Sequence, residues 1–201
     1  MSEDFIELAR VYLPKYLSPT KTEELYQALR QFPRLPSFYV APRSDEEDLL
    51  QGDGWRGFVV RQFDGELNEG VSGIILSNSC DMDIRNSSQL ATRQILFCPL
   101  ISLSRYEEGL IAAKRTKDQV KTAIEAIRTQ RITDIFHLPA GAYGPAESIA
   151  MLDDIHPHPL QHFLAGPRER LFRLHDAAFY LFVVKLSIHF CRLQEGVIRA
   201  H

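Results

Sequence analysis

The chain has 201 residues and a mass of 23.0 kDa, with 45% hydrophobic and 24% charged residues, the balance of a globular protein with one buried core and a small appendage. Lys+Arg 23 against Asp+Glu 26 gives a net charge of −3 and a pI near 6.2, which excludes a whole-surface attraction to phosphate but not a local basic patch. Composition also excludes a disordered chain, a collagen-like repeat and a disulfide scaffold.

The opening Met1-Ser2-Glu3-Asp4 is acidic and lacks the basic-then-apolar layout of a signal peptide. Asp4 to Tyr16 places Phe5, Ile6, Leu8, Ala9, Tyr12 and Leu13 on a usable helical face that Pro14 and Pro19 close. Thr20-Lys21-Thr22-Glu23 has the pattern of a capping box and predicts a helix over 21–31, stopped by Pro33. Residues 34–53, with Pro36, Pro42 and the run Asp45-Glu46-Glu47-Asp48, read as a connector.

From Gly54 the texture becomes β-like. Strands are predicted over 57–63, 73–77 and 94–101, separated by turns at Asp64-Gly65 and Asn68-Glu69-Gly70; Pro99 marks a strand end or a bulge. Ser104-Arg105-Tyr106-Glu107 again resembles a capping box, and Val120, Ile124 and Ile127 share one helical face, so a helix is expected within 104–131. That stretch carries seven basic residues against four acidic ones, +3, and leaves −6 on the rest of the chain. Strand texture returns at 132–138 and 147–155, around the loop Pro139 to Pro145. The last element, a helix over about 176–192, is apolar on nearly every side except at Lys185 and is too short to span a bilayer. It must be covered on two faces, and self-association is one way to cover it.

Ser77-Asn78-Ser79-Cys80-Asp81-Met82-Asp83 is the most polar segment after an apolar strand, the position where scaffolds place working side chains. Cys80 is a nucleophile candidate if a base or positive field activates it, and His137, ending another strand, is the partner to test. The alternative is structural: Cys80 as a small hydrophobe, with Asp81 and Asp83 holding a turn through their side chains. Asp81 and Asp83 together also have the composition of a weak Mg²⁺ site, and His156, His158 and His162 that of a metal-binding loop; no metal is assigned to either. Lys114, Arg115, Lys117 and Lys121 form a basic stripe suited to a phosphate backbone or to solvent. The cysteines Cys80, Cys98 and Cys191 are odd in number and widely spaced, which fits a reduced, cytoplasmic setting without structural zinc. No P-loop, G-x-G-x-x-G, G-x-S-x-G or H-E-x-x-H motif occurs, and no cofactor is assigned.

Gly52-Asp53 with the 57–63 run, Gly73-Ile74-Ile75-Leu76-Ser77-Asn78, Ile95-Leu96-Phe97-Cys98-Pro99-Leu100-Ile101-Ser102, His137-Leu138-Pro139 and the 147–155 run follow one another in an order that resembles the PemK/MazF-type toxin family. The resemblance covers about residues 52–192 and implies a small SH3-like β-barrel with the apolar C-terminal helix; the inserted helix and the N-terminal helices lie outside the family's simple pattern, and the whole reads as an α+β fold. Residues 1–50 are then a helical extension and linker, and 51–201 the barrel domain with a helical insertion over 104–131. It further implies a dimer and contact with RNA. The family's nucleases set an Arg before the second strand and a Thr after the Pro-Leu pair; here Gly70-Val71-Ser72 and Ile101 stand there, with Arg61 and Ser102 only near by.

Three functions are therefore weighed. One is a non-catalytic binding or assembly module of a prokaryotic toxin or defence-type system, holding RNA or a protein through Arg61, Ser77, Asn78, Asp83, Ser102 and the basic stripe, or a second copy through the C-terminal helix. Another is an endoribonuclease with relocated groups, Arg61, Asp81, Asp83 and His137. The third is a cysteine-dependent enzyme built on Cys80 and His137.

Overall fold

The computed structural model describes residues 19–30, 32, 35, 37–42, 48–62, 64–83, 85 and 93–191. Six helices among them are α1 (Pro19–Arg30), α2 (Ser79–Met82), α3 (Leu103–Ala112), α4 (Lys117–Arg128), α5 (Leu160–Ala165) and α6 (Asp176–Cys191). Seven strands are β1 (Gly54–Arg61), β2 (Leu67–Ile75), β3 (Gln94–Ser102), β4 (Ile135–Leu138), β5 (Ser148–Met151), β6 (His156–Pro159) and β7 (Glu169–Phe172). The helix expected at Asp4–Tyr16 lies outside the described residues. α1 begins at Pro19, ahead of the expected start, because a proline without an amide hydrogen suits the first helical position.

All the strand pairs are antiparallel, in the order β4-β5-β3-β2-β1-β7 with β6 also on β3. The class is α+β, but the path is open: its end strands β4 and β7 do not pair with each other, so the closed barrel expected from the resemblance is not what the described residues form. One cause is local. At the end of β4 the Gln130 side-chain amide donates to the His137 carbonyl at 2.7 Å and accepts from the His137 amide at 3.2 Å, occupying groups that another strand would need.

β3 carries the sheet. Phe97 lies opposite Ile75 of β2 and His156 of β6, and from Leu100 onward β3 pairs with β5 instead. Cys98 and Pro99 have no partner in the β5 and β6 registers, so the proline, which cannot donate, falls at the changeover and does not end the strand. The expected 147–155 strand is accordingly shorter, β5, and the His156-Pro157-His158 loop is instead β6.

Where β2 and β3 pair at Ile74-Ile75 and Phe97-Cys98, successive residues enter opposite cores, which explains apolar neighbours there, while Leu96 stays exposed. Ile74 and Cys98 join Phe136, Leu138 and the α6 residues Leu181 and Phe182 in one. Ile75, Ile95 and Phe97 join Trp55, Phe58 and the α5 residues Leu160 and Phe163 in the other. There Phe58 stacks between Phe97 (centroids 4.0 Å) and Phe163 (4.5 Å). A third core sits where α3 and α4 cover Ile135 and Ile149. α6 meets the sheet, and Leu25 of α1 belongs to the same core, so part of the second cover its composition demands comes from within the chain. No helix among the described residues is long and apolar enough to cross a membrane.

Two glycines give opposite expectations. A Cβ on Gly73 would stand 2.5 Å from Phe97 and 3.1 Å from the Cys98 carbonyl oxygen, whereas one on Gly109, inside α3, meets nothing within 4 Å. Thermal or urea denaturation should show Gly73→Ala losing about 1–3 kcal/mol through overpacking and Gly109→Ala gaining about 0.5–1 kcal/mol through helix propensity.

Candidate functional site

The single helix expected over 104–131 is a hairpin of α3 and α4. α3 starts at Ser102, whose hydroxyl accepts from the Arg105 amide, so the cap falls two residues before Ser104. It stops at Lys114, which has φ 59°; the Lys114 amide reaches the Ile111 carbonyl at 2.9 Å and the Arg115 amide the Leu110 carbonyl at 3.2 Å. This is a Schellman stop built on a residue other than glycine. α4 then opens with a true capping box between Thr116 and Gln119. It closes with a second such stop at Gln130, φ 57°, where the Gln130 amide meets the Ile127 carbonyl and the Arg131 amide the Ala126 carbonyl, both at 2.8 Å.

Between the two helices runs an open groove of about 410 Å³ lined by Glu107, Ile111, Arg115, Lys117, Val120, Lys121, Ile124, Glu125 and Arg128. Val120 and Ile124 are its buried floor, and Ile111, 59% exposed, is an apolar lip. The hairpin geometry sorts the charges. Arg115, Lys117 and Lys121 gather at the turn end, and Lys114 is in the turn itself. Glu107 and Glu125 lie toward the other end with Arg128, whose pKa is raised chiefly by its hydrogen bonds to Glu147 and further by the charge of these two carboxylates.

Arg128 leads from the groove into the protein. Its guanidinium makes two 2.8 Å bonds to the Glu147 carboxylate, which also accepts from Nε2 of the buried His137 at 2.9 Å. The Arg128 hydrogen bonds, with His137 assisting, hold the Glu147 carboxyl down to about 2. Burial lowers the His137 pKa despite that carboxylate, so the ring is a neutral imidazole whose Nε2–H donates a hydrogen bond to Glu147. Behind His137 stands Gln130, and behind Gln130 the buried Lys185 of α6, whose ammonium donates to the Gln130 Oε1 at 2.7 Å and to its carbonyl at 3.1 Å. Burial pulls the Lys185 pKa down to about 7, against the raising charge of Asp134.

Cys80 and Asp81 are in another neighbourhood. Cys80 is exposed on α2 and lines a cleft of about 260 Å³ with Leu49, Met82, Asp83, Arg85, Leu164 and Arg168; His137 is not among the residues around it. The polar segment that holds Cys80 is spent on structure. The Ser77 hydroxyl accepts from the Leu96 amide, Asn78 caps α2 through the Cys80 amide, and Asp83 pairs with Arg85. The backbone carbonyl of Asp81 accepts from Arg93. Arg61 is exposed at the end of β1 opposite Leu67, far along the strand from the register Gly54↔Ile74 that leads to Ser77. The three residues proposed for catalysis are therefore not brought together, whereas Arg115, Lys117 and Lys121 are.

The histidines of β6 are likewise committed. His158 is buried edge-on to Phe58 and Phe163, and His156 bonds Asp154 at 2.8 Å. Among the described residues no group of three His, Cys, Asp or Glu side chains is placed to hold a metal ion. Cys98, with no exposed surface, has its thiol pushed up to about 12 by burial. Glu147, Gln130 and Lys185 were the residues the sequence reading did not single out as a site; the one signal was a lysine inside an otherwise apolar helix.

An α+β protein with an open antiparallel sheet and a charged helical hairpin at one end is thus the class that fold and site define. Compared with known proteins, the chain matches no family model and no curated protein.

Lys185 makes folding depend on pH. Its folded pKa of about 7 lies below the ordinary 10.5, so between these values the unfolded chain binds more protons, and stability rises with pH across that window. Urea denaturation at a series of pH values should show this rise, on the order of 2–4 kcal/mol, and Lys185→Met should flatten it.

Proposed function

We propose that this chain is a non-catalytic binding and assembly module, an open-sheet variant of the PemK/MazF-type architecture whose working surface is the α3–α4 hairpin. The observation that carries the reading is the placement of His137. Its ring is enclosed and bonded to Glu147, away from the cleft that holds Cys80, so these two side chains do not face one another as nucleophile and base. The Arg128–Glu147–His137 group is a mutually hydrogen-bonded set that anchors the hairpin to the sheet. RNA cleavage needs a cation on the developing phosphorane charge and a group that moves the 2′-hydroxyl proton; Arg61, Asp81, Asp83 and His137 supply no such pair at one place. The hairpin groove, by contrast, combines apolar floor, apolar lip and charge and is left open by the described residues, the anatomy of a binding surface.

Incubation of the full chain with structured and single-stranded RNA, with and without Mg²⁺, should leave the RNA intact. Alkylation of Cys80 should change no property of the protein beyond its mass. RNA degradation that Asp81→Asn or His137→Gln abolishes in a folded protein would replace this reading with the nuclease, and loss of an activity on alkylation would replace it with the cysteine enzyme.

A further inference from the structure

Building on the binding-module reading, we infer that the α3–α4 groove takes an amphipathic helical segment of a partner protein, its apolar stripe on Ile111, Val120 and Ile124 and its acidic end over the hairpin turn. The argument is complementarity in two respects. The floor and lip are aliphatic, a strip that an i, i+3, i+4 row of apolar side chains matches. The rim is polarised along the groove, with Arg115, Lys117 and Lys121 at the turn end and Glu107 and Glu125 toward the other, where the cation Arg128 is paired with Glu147. A helix carries its own polarity of the matching kind. Acidic residues favour its N-terminal turn and basic residues its C-terminal turn, so one helix can satisfy both ends of the rim at once.

RNA fits the same surface less well. No aromatic side chain lines the groove to stack a base, and two carboxylates stand along the path a phosphate backbone would follow. The support beneath the surface also suits a rigid protein contact. α4 is anchored through Arg128 to Glu147 and through Gln130 to β4 and α6, so the groove keeps its shape without paying for ordering on binding.

The test uses the full chain and a fluorescent synthetic peptide of about four helical turns, with leucines in an i, i+3, i+4 row, glutamates in its first half and lysines in its second. A peptide of the same composition with the leucines scattered and a single-stranded RNA of similar length are run beside it. The patterned peptide is expected to bind and to weaken at higher salt. Arg115→Glu with Lys121→Glu, and separately Ile111→Ser, should each weaken it by about tenfold or more. All of these side chains are exposed, and circular dichroism and the melting temperature check that the variants fold. No binding, equal binding of the scattered peptide, or affinity untouched by both variants overturns the inference. Tighter binding of RNA that the charge reversal abolishes also overturns it, and leaves the binding-module reading standing. Cleavage of that RNA would overturn the module itself.

Discussion

One glutamine side chain holds three parts of this protein in register. Gln130 ends α4 in a left-handed conformation, hydrogen-bonds both backbone groups of His137 at the sheet edge and accepts from the buried ammonium of Lys185 on α6. Each of those groups is costly to bury alone, and together they leave little freedom for the hairpin, for β4 or for the last helix. Arg128, Glu147 and His137 extend the same chain of contacts outward to solvent, where neutralised charges are tolerated. The amide that satisfies His137 also terminates the sheet. An additional strand beside β4 would have to displace it and strand the lysine.

That constraint organises what the surface can do. Because α3 and α4 are tied down at the sheet end, their opposite flank is left as a shaped groove with sorted charge, supported from below by Ile127, Ile135 and Ile149. Chemistry is distributed otherwise. The nucleophilic side chain sits on a short helix at the rim of a different cleft, and the imidazole is used up as a structural donor.

Much of the architecture was legible in the residues. The apolar pairs Ile74-Ile75 and Phe97-Cys98 break alternation, which is the pattern of strand segments covered on both faces, and both cores are present. The apolar last helix was legible for the same reason, and α1 and the sheet share its cover. The hairpin was not. A helix end is read from glycine or proline, and here Lys114 takes the left-handed position instead, so the pattern over 104–131 reads as one helix. β6 was hidden by its two prolines, which are tolerated because it lies at the end of β3's pairing and has few ladder bonds to lose.

Local pattern by itself determined the apolar centres of β1 to β5, the helical character of α1 and α6, where the excess positive charge lies and that the final helix must be enclosed; these depend on residue types at short spacing. Tertiary structure alone decided that the sheet stays open, that Lys185 reaches Gln130 across 55 positions, and that Cys80 and His137 occupy separate neighbourhoods. Such outcomes turn on which distant groups can satisfy one another once water is excluded, and no short stretch of chain contains both partners.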